Sequence, residues 1–308
     1  MYWALLAGFG ACTNAAYYIA NKQFLKRIDP DILAASGFLC GAVFLLCVSA
    51  AKGIPATGPL FLPAVCITAA INVIATFLTF RALTSTDISL AVPMISFTPI
   101  FLVGTAALIL HEVPSAIGIA GIAIIVAGSY ILNTSEEHTR LSDPFRSMVS
   151  HPGILSMLAV AFLYSVAVNF DKMAVQNSDP VFGAGITMLL ISAAFVSIAV
   201  YRRRRNRNRI ASVLAGNPSV RPVLVFPFRR REVAVAGILT GCLITLEAIT
   251  INSAYTEQIA PYVIAIKRLS IILIVLYGTL VFREKDLVRR LAGAGIMVFG
   301  AILILVFP

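Results

Sequence analysis

The chain has 308 residues, of which 59% are hydrophobic and only 12% charged, with a mean hydropathy of +0.92. Soluble domains carry about a quarter charged residues, so this composition excludes an ordinary water-soluble fold. The net charge of +10 invites a nucleic-acid reading, but its distribution along the chain speaks for a membrane protein.

Apolar runs of roughly 18–22 residues follow one another, each long enough to cross ~30 Å of hydrocarbon as a helix. They fall at about 2–20, 31–51, 60–81, 88–110, 115–132, 153–170, 181–200, 233–252, 261–282 and 288–307. Backbone polar groups in lipid must be satisfied within the segment, so the spans are read as helices. The first span has no basic region before it and no small-residue cleavage site after it. It is expected to be a retained helix, not a cleaved signal peptide.

The spans repeat. Lys22, Asp29 and Pro30 recur as Lys172, Asp179 and Pro180, at an offset of 150; Thr84, Glu112, Gly121 and Gly128 recur as Thr256, Glu284, Gly293 and Gly300, at an offset of 172. The extra 22 residues fall in the arginine-rich stretch 201–232. The chain therefore divides into a first repeat over 1–132, a connection over 133–152 and a second repeat over 153–308. Five helices per repeat is an odd number, so the second half enters the membrane inverted. The expected fold is all-α, ten transmembrane helices in two inverted five-helix repeats, an architecture typical of secondary transporters.

Of the 24 Lys and Arg, 20 fall in loops on one side of this arrangement and 2, Lys52 and Lys172, on the other; Lys267 and Arg268 lie inside the ninth span. Positive loops stay in the cytoplasm, which puts the 201–232 loop inside and both termini outside. The Arg202–Arg209 run is read as a topology determinant touching anionic lipid, with no nucleic-acid partner. All five cysteines (Cys12, Cys40, Cys47, Cys66 and Cys242) lie in predicted helices without metal-ligand spacing, and are read as packing residues.

Each repeat ends with a polar turn, a long helix closing on a Glu, a short link and a Gly-spaced helix. The first copy reads TSTDISLAVPMISFTPIFLVGTAALILHEVPSAIGIAGIAIIVAGSYIL; the second reads TEQIAPYVIAIKRLSIILIVLYGTLVFREKDLVRRLAGAGIMVFGAILIL. This pattern resembles the EamA-like transporters of the drug/metabolite transporter superfamily, over nearly the whole chain. The resemblance implies a central cavity between two five-helix halves, lined mainly by helices 1, 3, 4, 6, 8 and 9, and export of amino acids, metabolites or drugs. It also implies both termini in the cytoplasm, opposite to the charge distribution. Glu112 and Glu284 each precede a final helix and are expected to complement its N-terminal dipole. The glycines recur every seven residues on one face, as close helix packing in lipid requires.

Residues that break the repeat point to the site. Glu247 aligns with Ala75, and Lys267 and Arg268 align with Ile95 and Ser96. Ionisable groups inside a membrane helix are costly and by default functional. Glu247 lies ten residues before the turn near 257 and Lys267 ten after it. At ~1.5 Å per residue they reach the same depth on antiparallel helices, so they are expected to pair, as a static salt bridge or as a pair exchanging partners with substrate or proton. Asn14, Tyr18, Asn72, Tyr164, Asn169, Asn252 and Tyr262 are the uncharged candidates for substrate hydrogen bonds. Pro93 and Pro99 are expected to kink the fourth helix.

No metal, cofactor or catalytic motif stands out: His111, His138 and His151 are isolated, with no paired carboxylates and no nucleophile motif. The reading is a secondary transporter, not an enzyme, exporting a small metabolite such as an amino acid by alternating access. Lacking an ATP-binding motif, it would draw energy from a proton gradient or from the substrate gradient itself. A multidrug or cation efflux carrier, and a non-transporting membrane receptor or partner protein, are the alternatives.

Overall fold

The computed structural model describes residues 2–86, 91–132, 152–216, 230–282 and 287–307. In chain order the helices are α1 (Tyr2–Phe24), α2 (Pro30–Lys52), α3 (Phe61–Ser85), a 3-10 segment (Val92–Phe97), α4 (Thr98–Ile109), α5 (Ala116–Leu132), α6 (Pro152–Gln176), α7 (Pro180–Gly216), α8 (Arg230–Tyr255), α9 (Ala260–Lys267), α10 (Ser270–Phe282) and α11 (Leu287–Val306). No strand occurs among the described residues. Glu284, residues 217–229 and all but the last residue of the 133–152 connection lie outside the described residues.

Six stretches are long and apolar enough to cross a membrane: Pro30–Lys52, Phe61–Ser85, Gly153–Gln176, Pro180–Arg205, Arg230–Tyr255 and Ala260–Gly278. Met94–Ile109, Ala116–Leu132 and Arg290–Val306 are shorter apolar helices. α1 is not in either group; it carries Asn14, Asn21, Lys22 and Gln23, and it faces the site. Large apolar side chains such as Leu5, Phe44, Leu62, Leu108 and Ile238 are exposed on the outer helix faces, the surface expected of a protein solvated by lipid tails.

The motif Asp-Pro explains two helix starts. Asp29 accepts a hydrogen bond from the Asp31 backbone N (2.9 Å), and Asp179 from Val181 N (2.8 Å) and Phe182 N (3.1 Å). In both, the acidic side chain satisfies a free helix N–H while the proline takes the first helical position, which needs no donor. α7 does not stop near 200 as its apolar run suggests but continues through the arginine run to Gly216. Arg202 there is not simply lipid-facing. Its guanidinium pairs with the buried Asp31 at the start of α2 (2.8 Å) and lies 5.5 Å over the Phe77 ring.

α2 packs on α7, α5 on α11, α3 on α6, and α1 on α8. The α5–α11 contact runs along the glycines. A Cβ added at Gly121 would meet the Gly300 carbonyl at 2.9 Å, and one at Gly300 would meet the Gly121 carbonyl at 2.7 Å. Small residues thus bring two backbones together where any side chain would hold them apart.

Two membrane segments are broken. Pro93 falls in the 3-10 segment Val92–Phe97, and Pro99 in the first turn of α4. In the second segment no proline marks the break. The Arg268 N–H is shared between the Ile264 and Ala265 carbonyls (3.1 and 3.2 Å), and Leu269 N donates to Ile266 O (3.0 Å), a tightened turn between α9 and α10.

Candidate functional site

A cavity of about 160 Å³ lies between α1, α3, α6, α7, α8 and α9. Eight of the ten residues expected at the site line it: Asn14, Tyr18, Asn72, Tyr164, Glu247, Asn252, Lys267 and Arg268. α2 and α7 add apolar wall from Phe38, Met188 and Ile191, whereas α4, expected to contribute, gives no lining residue.

Glu247 and Lys267 form the centre. Lys267 Nζ sits 2.5 Å from Glu247 Oε1, and Asn14 Nδ2 donates to Glu247 Oε2 (3.0 Å). Ser270 Oγ in turn donates to Asn14 Oδ1 (3.1 Å), fixing the amide's orientation. Both carboxylate oxygens are thus held, one by a cation and one by an amide, from three helices and the α9–α10 break. A buried pair of this kind is strongly interdependent: removing one partner costs about 3–5 kcal/mol, because the other charge is left bare.

Two expected residues face elsewhere. Asn169 is fully buried and donates to Thr105 Oγ1 (3.1 Å) and to Ser165 O (2.7 Å), towards α4. It is five residues beyond Tyr164, about 140° further round a helix of 3.6 residues per turn. The Tyr262 hydroxyl receives the Ser115 N–H (2.9 Å) and donates to Ser115 Oγ (3.2 Å), and its ring fills the space left by Gly118. It anchors α9 to the start of α5 and does not line the cavity. Asn72 and Asn252 line it but are also engaged, Asn72 with the Thr68 hydroxyl (3.0 Å) and Asn252 with the Pro180 carbonyl (3.1 Å).

The cavity contains residues that the apolar spans hid. Tyr17, Thr76, Tyr255 and Asp171 all line it. Asp171 lies in the last turns of α6, which runs on to Gln176, beyond the end of the apolar run near 170. Its Oδ1 accepts the Thr68 hydroxyl at 2.6 Å. The signal was a carboxylate next to a buried lysine.

That lysine does not itself line the cavity. Lys172 pairs with Glu112 (2.5 Å) and donates to Gln258 O (2.7 Å), while Glu112 Oε2 accepts from Ala260 N (2.8 Å). The carboxylate therefore complements a helix N-terminus, but that of α9, not of the following α5. The start of α5 is served by Ser115 Oγ, which accepts from Gly118 N (3.0 Å). Lys22 likewise holds backbone carbonyls, its Nζ donating to Leu83 O (2.6 Å) and Thr86 O (2.8 Å).

The EamA-like transporter family model matches residues 1–134 and again 151–306. The chain belongs to the EamA-like transporter family. It is thereby a member of the drug/metabolite transporter superfamily and a multi-pass membrane protein, and EamA-like proteins are transporters, not enzymes. No curated protein matches the sequence significantly. A solved structure, titled only as the crystal structure of a protein, is similar over 97% of this chain and 95% of its own, with a TM-score of 0.68 and 16% identity. At that identity the likeness concerns the fold alone. Among the described residues no cluster of His, Cys, Asp or Glu is arranged to hold a metal.

Proposed function

We propose that this EamA-like protein is a secondary transporter exporting a small metabolite such as an amino acid by alternating access, with Glu247 coupling proton to substrate movement. The observation that carries the reading is the Glu247–Lys267 pair inside the cavity. Protonation of Glu247 would release Lys267 for an anionic group of the cargo; loss of the proton would restore the pair and expel that group. One residue then ties proton and cargo to movement in the same direction, and export draws on the cargo's own outward gradient.

Ten spans in two inverted repeats suit this mechanism, because each half can rock against the other around a fixed site. Several observations support that architecture. Lys22 holds the Thr86 carbonyl as Lys172 holds the Gln258 carbonyl, and the two acceptors are 172 residues apart. The packing of α3 on α6 has its counterpart in α8 on α1. The backbone breaks at Val92–Phe97 and at Arg268–Leu269 occupy corresponding places in the fourth span of each repeat.

The orientation follows from charge: the 201–232 region in the cytoplasm against anionic lipid, and the termini outside. A single cysteine placed between 217 and 229 in a cysteine-free background should resist an impermeant thiol reagent in intact cells and react after permeabilisation. Labelling from outside overturns the orientation. For function, purified protein in proteoliposomes is given a panel of amino acids, organic acids and amphiphilic cations. Counterflow of a labelled metabolite is expected; substrate-dependent stabilisation without flux would leave a receptor, and flux of amphiphilic cations alone would make it a cation efflux carrier.

A further inference from the structure

Once Glu247 and Lys267 have paired, the cavity retains one charge of each sign. Asp171 on α6 is one. Its hydrogen-bond donor among the described residues is Thr68, and Thr68 is itself approached by Asn72 Nδ2 (3.0 Å). The row Asn72–Thr68–Asp171 turns the carboxylate to a fixed position, yet no Lys or Arg among the described residues comes within ion-pair distance of it. Arg268 is the other. It is 3% exposed, its Nε has no hydrogen-bond partner, and its guanidinium forms no ion pair among the described residues. Both groups line the same cavity.

Charges without an ion-pair partner in a membrane helix bundle are costly. A ligand bearing the complementary charges removes that cost at both ends. The polar groups around Arg268 are Tyr18, Tyr164, Glu247 and Tyr255. Asp171 lies seven residues beyond Tyr164 on α6, ~10 Å of helix rise. The two charges therefore lie at different depths in the site, with Asp171 next in the chain to Lys172 and its partner Glu112.

We propose that the cavity binds a zwitterion lengthwise, Arg268 taking its anionic group, joined by Lys267 when Glu247 is protonated, and Asp171 its cationic group, so that the cargo is an amino acid with well-separated charges, such as an ω-amino acid or a dipeptide. A compact α-amino acid carries both charges on one carbon and reaches only one of the two residues. Asp171 is thus a specificity-determining residue: the amide in its place keeps the shape and the hydrogen bond from Thr68 but loses attraction for an ammonium. The inference rests on the transport reading for its consequence, not for its test.

The test measures binding to the full-length protein in detergent by ligand-dependent thermal stabilisation, with 6-aminohexanoate, hexanoate, hexylamine and glycine as probes. The first should half-saturate at least tenfold below each of the others. Asp171→Asn should bring 6-aminohexanoate to the level of hexanoate and leave hexanoate itself unchanged. If Asp171→Asn does not fold, Thr68→Val, which frees the carboxylate without removing its charge, should weaken 6-aminohexanoate severalfold and spare hexanoate. Equal binding of glycine and 6-aminohexanoate, equal loss of both acids in the Asp171 variant, or no binding of any probe overturns the proposal. Flux is read separately in proteoliposomes: the binding pattern without flux defeats the transport reading alone, and flux of other metabolites without the pattern defeats this inference alone.

Discussion

Glu247 on α8 and Lys267 at the end of α9 meet at 2.5 Å, twenty residues apart in sequence and on opposite sides of one turn. Asn14 from α1 secures the second carboxylate oxygen, so the pair ties the first helix of one half to two helices of the other. Ion pairs on a protein surface contribute little, but this one lies inside a helix bundle where either charge alone would be stranded.

That interdependence is measurable. Glu247→Gln and Lys267→Met should each lower stability by about 3–5 kcal/mol, and the double variant by much less than the sum. Denaturant unfolding in mixed micelles gives the coupling energy. Additive losses would mean that the two side chains do not act as a pair.

How much of this was legible in the sequence depends on how far each signal stands out from its surroundings. Glu247 and Lys267 were visible because a charge inside an apolar run is conspicuous, and their equal distance from the turn fixed their depth. Asp171 was hidden because α6 continues as a polar last turn, and hydropathy stops where the helix does not. Asn169 and Tyr262 have suitable chemistry on suitable helices, but helical phase turns Asn169 to α4 and Tyr262 to Ser115. Phase is set by packing, which no local pattern in a uniformly apolar helix reveals. The Arg202–Asp31 pair joins residues 171 apart in sequence, so the arginine run read as a surface feature only. The glycines were read correctly as packing positions, because small residues at a spacing of seven have few other uses within lipid.

Those glycines give a second prediction. Gly121→Val and Gly300→Val should each separate α5 from α11 and lower the melting temperature by several degrees, since at each position a backbone carbonyl that cannot swing away lies within 2.9 Å of an added Cβ. Gly104→Ala, where an added Cβ meets nothing within 4 Å, should be neutral or slightly stabilising, by up to ~1 kcal/mol. Equal tolerance at all three positions would contradict the close approach.

Glu112 makes two separable interactions, the ion pair with Lys172 and the hydrogen bond from Ala260 N. Glu112→Gln keeps an acceptor for the helix end and removes the charge; Glu112→Ala removes both. Alanine should therefore be the more damaging by about 1 kcal/mol, the usual size of a helix cap, as read from paired denaturation curves. Equal damage from the two variants would assign the whole effect to the ion pair.

The central claim is that Glu247 exchanges Lys267 for a proton while cargo moves. The most direct measurement is uptake into proteoliposomes carrying wild-type protein or Glu247→Gln, with and without an imposed pH gradient, using a cargo found in the metabolite panel. Wild-type uptake should rise with the gradient; Glu247→Gln should show no response to it and should retain part of its substrate exchange at equal pH. A variant that follows the gradient as the wild type does would make the pair a fixed element of the bundle and remove proton coupling from the account.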